Sequence, residues 1–235
     1  MPDLANGFLL YAVFLLSTTF HEAAHAWAAL RGGDLTAFRG GQVTLDPRPH
    51  IRRAPIGMVV LPIISVLISG WPLGFASAPY DPQWAMKHPN RAGWMALAGP
   101  GANLILVLLS AALINAGVAA GVFMAPETIH FSDVTAAAEG VAGWWGGVAA
   151  LLGAVFALNL LLFIFNLIPV PPLDGSAALV LLLPPHLVPR YQQMITFNVS
   201  LSWIGIFLAW QLFDPLFKPF FTLALKLLYP DLSYG

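Results

Sequence analysis

Residues 4–30 read LANGFLLYAVFLLSTTFHEAAHAWAAL. The run is long and apolar enough to cross a bilayer as a helix, and His21, Glu22 and His25 stand inside it. Ionisable side chains at that depth are costly and rare unless they serve a purpose. At i and i+4 the two imidazoles project from one helix face, so both can bind a single metal ion. Glu22 lies beside them, where it can take a proton from an activated water. The stretch therefore predicts a spanning helix that carries the wiring of a zinc hydrolase.

The rest of the chain fits that setting. Of 235 residues, 58% are hydrophobic and 9% charged, against roughly 25% charged in a soluble domain. An all-α polytopic membrane protein is expected, in contact with the lipid bilayer. The net charge of −1 gives no electrostatic case for nucleic-acid binding. Cysteine is absent, which removes disulfides and thiolate zinc sites and leaves His, Asp and Glu as the strong ligands. Asp3, and no Lys or Arg, precedes the first apolar segment, which itself contains the motif, so a cleaved signal peptide is not expected. With no repeat or low-complexity tract, residues 1–235 read as one membrane-embedded domain, with core motifs at 5–185 and C-terminal membrane helices at 196–229.

About five to six transmembrane or re-entrant segments are predicted, with a small β-like element after the first helix. Residues 34–53 are polar and basic, with β-favouring pieces such as Gln42-Val43-Thr44-Leu45. Residues 54–75 are apolar but interrupted by Pro55, Pro62, Gly70, Pro72 and Gly74, which suits a kinked span or a re-entrant hairpin. Apolar runs follow at 92–124 and 142–168, the latter ended by Pro169, Pro171 and Pro172. Asp174-Gly175 opens a short helix, and 196–229, interrupted near Asp214-Pro215, makes one helix or two. The arginines of 31–53 mark that loop as cytoplasmic, whereas 125–141 has no basic residue and is expected outside. His21, His25 and Asp174 then reach a similar depth on the cytoplasmic side.

A catalytic zinc usually takes three protein ligands and keeps a position open for water. Asp46 and Asp81 lie in cytoplasmic-side loops beside prolines, as turn residues would, and Glu127, Asp133 and Glu139 are expected on the far side. Asp174 follows a membrane helix on the correct side. Alone it fits a ligand or a helix N-cap equally well; beside the paired histidines a ligand is favoured. Asn103, four residues after Gly99 in an apolar run, reads first as a cross-helix hydrogen-bonding group. The sharper alternative places its amide at the site, holding substrate backbone or an oxyanion. His50, His88, His130 and His186 read as interfacial loop or helix-end residues.

Together, His21-Glu22-x-x-His25, Gly99-x-x-x-Asn103 and the Pro-rich run ending Leu173-Asp174-Gly175 resemble the site-2 protease family of intramembrane zinc metalloproteases, most like short prokaryotic members without PDZ or CBS domains. Gly41-Gln42-Val43-Thr44-Leu45-Asp46-Pro47 and Ala78-Pro79-Tyr80-Asp81-Pro82 are similar to its connecting segments. Arg52-Arg53 after His50-Ile51 depart from the Asp-Pro often found there.

The resemblance implies peptide-bond hydrolysis in the transmembrane helix of a membrane-tethered substrate, often one already trimmed by another protease. The setting would be a multi-pass protein of the prokaryotic cell membrane with its active site towards the cytoplasm. It implies one Zn2+ per chain, held by His21, His25 and Asp174, with Glu22 as general base and Asn103 as a substrate-contacting or site-ordering residue. Residues 40–46 would pair with an unwound substrate by β-addition. A membrane zinc transporter, a metalloprotease with a distant glutamate ligand and a non-cleaving helix-binding pseudo-protease are the rival readings. A transporter would need polar ligands along a path through the membrane, and the outward halves of these helices are nearly devoid of them.

Overall fold

The computed structural model describes residues 3–230. In chain order the helices are α1 (Leu4–Gly32), α2 (Thr36–Arg39), α3 (Pro47–Arg53), α4 (Leu61–Ser69), α5 (Pro82–Lys87), α6 (Pro89–Ala119), α7 (Trp144–Asn166), α8 (Asp174–Ala178), α9 (Val188–Phe197) and α10 (Val199–Leu228). A π-helical turn, Ile56–Val60, leads into α4, and Leu179–Leu181 form a 3-10 turn after α8. By length and composition α1, α6, α7 and α10 can each cross a membrane.

α1 has clear local signals at both ends. The Asp3 carboxylate accepts from the Asn6 N–H at 3.1 Å, a standard N-cap. At the other end Gly33 adopts φ 97°, a left-handed conformation open to glycine at little cost, and its N–H donates back to Leu30 O. Leu10, Val13 and Phe14 of α1 pack with Ala154 and Leu158 of α7. A second cluster joins Val107 and Ile114 of α6 to Phe156, Leu160 and Ile164 of α7 and to Phe217 and Leu225 of α10.

Contacts along α1 fix the sense of the other spans. At its Arg31 end, the Arg91 guanidinium and the Trp84 indole both donate to Gly32 O at 3.1 Å, so α6 starts there. At the Asp3 end, Asn6 meets Ser132 in the loop between α6 and α7, and the Tyr229 hydroxyl donates to Val134 O after α10. The spans alternate in direction as the basic and acidic loops predict.

The interrupted apolar run 54–75 lies within a bent segment that doubles back on itself. The helical pair Pro47–Arg53 and Ile56–Ser69 is bent by 111°. Gly70, ending α4, lies against Gly7, where an added Cβ would stand 2.9 Å from Gly70 O. Gly7 is about 37 Å up α1 from Gly32 at 1.5 Å per residue. Residues 72–81 then return without helix or strand, held by Phe75 N–H to Gly57 O at 3.0 Å, and the Asp81 N–H reaches Asp34 Oδ2 at 2.8 Å. The segment thus enters and leaves at the Arg31 end. Burial pushes the Asp34 carboxyl up, but the Thr36 hydroxyl, the Asp81 and Thr36 N–H groups and the Arg39 charge outweigh it, leaving the group below its ordinary range.

Three readings are refined. The small β element expected after the first helix is present as β1 (Phe123–Met124) paired antiparallel with β2 (Ala136–Ala137) at the Asp3 end, whereas residues 40–46 are turn and bend and form no strand. α10 runs unbroken through Pro215 and Pro219; a membrane helix accommodates such prolines by small local adjustments. His50, read as interfacial, is 1% exposed, with Nε2 3.1 Å from Thr44 O.

Candidate metal centre

The site lies where α1, α6 and the start of α8 meet. His21 and His25 stand one turn apart on α1, 7% and 5% exposed. Their Nε2 atoms are 3.0 Å apart, and Asp174 Oδ2 lies 3.0 Å from that of His21 and 3.3 Å from that of His25. All three ligand atoms fall within 4.8 Å of one another, and no other such trio occurs among the described residues. The far nitrogen of each ring is also engaged: His25 Nδ1 lies 2.7 Å from Met95 O and His21 Nδ1 2.6 Å from Asn103 Oδ1. A backbone carbonyl only accepts, so His25 carries a proton on Nδ1, and Nε2, facing inwards, is its atom for a metal. Lone pairs and a carboxylate oxygen converging this closely suit a divalent cation; the donor set of two imidazoles and a carboxylate suits zinc.

Asp174 is placed for this by the chain around it. It is the first residue of α8, Leu173 is the N-cap position, and no side chain caps the helix, so the N-cap reading of Asp174 does not hold. The Pro-rich connection is pinned from both sides. A Cβ on Gly175 would strike Leu167 O, and one on Gly205 of α10 would strike Pro171 O. The Tyr191 hydroxyl of α9 donates to Ser176 O at 2.7 Å. Glu22 is 6% exposed, and its Oε2 has no hydrogen-bond partner among the described residues.

The other acids lie elsewhere. Asp46 and Asp81 cap α3 and α5, accepting from Arg48 N–H and Gln83 N–H. Glu127, Asp133 and Glu139 sit in the α6–α7 loop, at the Asp3 end. Asn103 is fully buried; its amide nitrogen donates to Asn159 Oδ1 at 2.8 Å while its oxygen faces His21. Asn159, a lone amide inside the apolar run of α7, carries the same sequence signal as Asn103.

Gly99 explains the spacing of its motif. A Cβ there would collide with Nε2 of both His21 and His25, so only glycine lets α6 approach α1 at this level. Gly99→Ala is expected to push the helices apart and lower zinc affinity about 10–100-fold, the scale seen when the support around metal ligands is disturbed. Competition against a chromophoric chelator measures this, and a folded variant with wild-type affinity would refute the close-approach argument.

A buried His-Glu-x-x-His pair joined by an aspartate, among membrane-length helices, fits a metal centre inside a membrane protein. The model of Peptidase family M50 matches residues 9–207, and the chain belongs to that family. It is 28% identical over 228 residues to the "Putative zinc metalloprotease YwhC" of Bacillus subtilis (strain 168), covering 89% of this chain and 93% of that protein. It is 33% identical over 187 residues to "Putative zinc metalloprotease Rip2" of Mycobacterium tuberculosis (strain ATCC 25618 / H37Rv), covering 80% of this chain but 60% of that protein. The Rip2 of Mycolicibacterium smegmatis shares 30% identity over the same extent. No solved structure matches.

Proposed function

We propose that this chain is an intramembrane zinc metalloprotease that cuts a peptide bond in or near the transmembrane helix of a membrane-tethered substrate. His21, His25 and Asp174 hold one zinc ion, and Glu22 is the general base. The observation that carries this reading is the convergence of His21 Nε2, His25 Nε2 and Asp174 Oδ2 within 4.8 Å, beside a buried glutamate oxygen without a partner. Zinc names in both groups of relatives support the choice of metal.

Zinc, when bound, supplies Lewis acidity that polarises a carbonyl and acidifies water. Glu22 removes the proton from the attacking water and delivers it to the leaving amide nitrogen. Its burial among apolar helices keeps bulk water from competing for that proton. Asn103, with both ends of its amide engaged, orders the site rather than grips substrate. The substrate helix must unwind, since its carbonyls are otherwise hydrogen-bonded within the helix. Residues 72–81, outside helix and strand and largely exposed, offer a more accessible backbone partner for it than 40–46. Arg31, Arg39, Arg52, Arg53, Lys87 and Arg91 gather at one end, which supports a cytoplasmic orientation for the site in a prokaryotic cell membrane.

The test is cleavage of a single-helix substrate with glycine and proline at mid-helix, in proteoliposomes. Cleavage is expected to vanish on chelation and return with zinc. Undiminished cleavage by metal-stripped protein would overturn the proposal.

A further inference from the structure

We infer that Asn159 is a positioning residue for the metal centre: acting through Asn103, it fixes His21 with its proton on Nδ1 and its Nε2 lone pair free. One atom along these contacts is free of ambiguity. Val155 O is a backbone carbonyl and can only accept, and it lies 2.8 Å from Asn159 Nδ2. The second Nδ2 proton goes to Ser17 Oγ at 2.9 Å. With both protons placed, Asn159 must turn its oxygen to Asn103, whose facing atom, 2.8 Å away, must therefore be the amide nitrogen. Asn103 Oδ1 then faces His21 Nδ1 at 2.6 Å, and that nitrogen must carry the proton.

The two histidines are thus oriented by different means. His25 reads a backbone carbonyl, Met95 O, which cannot rotate. His21 reads a side-chain amide, which could turn over and present its nitrogen, moving the ring proton to Nε2 and removing the inward lone pair. Both asparagines are fully buried, so no solvent is there to choose between the two orientations. The anchor at Val155 O makes the choice. Hydrogen-bonding partners behind metal ligands commonly change metal affinity by about 10–100-fold when removed.

The zinc readout rests on the metal-centre reading above; the tautomer readout does not. The full chain is purified in detergent with 15N-labelled histidine and titrated with zinc against a chromophoric chelator. Asn159→Leu is expected to weaken zinc binding about 10–100-fold and, in metal-free protein, to turn the His21 signals from the Nδ1–H tautomer to a mixture. Asn159→Asp still presents an oxygen to Asn103 in either protonation state, so it is expected to keep zinc affinity within a few-fold. In an Asn103→Leu background, Asn159→Leu is expected to add nothing further. Wild-type affinity and tautomer in folded Asn159→Leu, or additive losses, would overturn the relay. If Asn159→Leu does not fold, a folded Asn159→Asp that loses tenfold or more overturns it. A wild type that binds no zinc would remove the metal-centre reading alone, with the tautomer still deciding the relay.

Discussion

Glu22→Gln is expected to hold zinc as the wild type does and to lose about 10²–10⁴-fold in proteolysis, the usual contribution of a positioned general base. Glutamine keeps the size and polarity of glutamate but cannot take a proton at neutral pH. The glutamate is not one of the three converging side chains, so metal content is not expected to change. Its Oε2 is buried without a partner, a placement that costs stability when the group is ionised. The variant should therefore unfold no more readily than the wild type, and activity and stability should move apart. Single-turnover cleavage, zinc analysis and thermal unfolding on one preparation check this. Substantial residual cleavage by clean, folded protein would end the assignment of Glu22 as base.

Asp174→Ala is expected to bind zinc at least ~100-fold more weakly, beyond the range seen when only a supporting partner is lost. The reason is geometric. His21 and His25 share one helix face, and Asp174 is the only acid among the described residues that closes on them, at 3.0 and 3.3 Å. Two imidazoles alone leave the ion short of the usual three protein ligands. Chelator competition with the folded variant measures the loss. Undiminished affinity would mean that Asp174 serves as a counter-ion to a protonated histidine, and the third ligand would have to be sought elsewhere.

Much of the site was legible because membrane sequences make polar residues conspicuous. His21, Glu22 and His25 stood out against α1, and the Pro-rich run singled out Asp174 from the other acids. Loop charge gave the alternation of the spans. Other features depend on inter-helix distance, which one chain's pattern does not encode. The role of Gly99 emerges only when α6 is seen to rest on two imidazoles. Basic residues flank both ends of 54–75, so loop charge does not fix its route; the Asp34–Asp81 contact shows that its end returns to the Arg31 end of α1. Asp214-Pro215 left one helix or two open because a proline marks where a helix can bend, not where it must end; α10 continues through it. Asn159 was legible by the same logic as Asn103 and was overlooked beside the stronger motifs.

The pinning of Pro171 against Gly205 also bears on how the centre comes into being during synthesis. The two histidines enter the membrane with the first helix, whereas Asp174 follows 153 residues later (174 − 21) and its arm is braced by a helix made after it. A growing chain therefore spends most of its translation with a two-pronged, incomplete centre. The arm that carries Asp174 gains its brace at Gly205 only once α10 is made, so the three converging side chains meet late in synthesis.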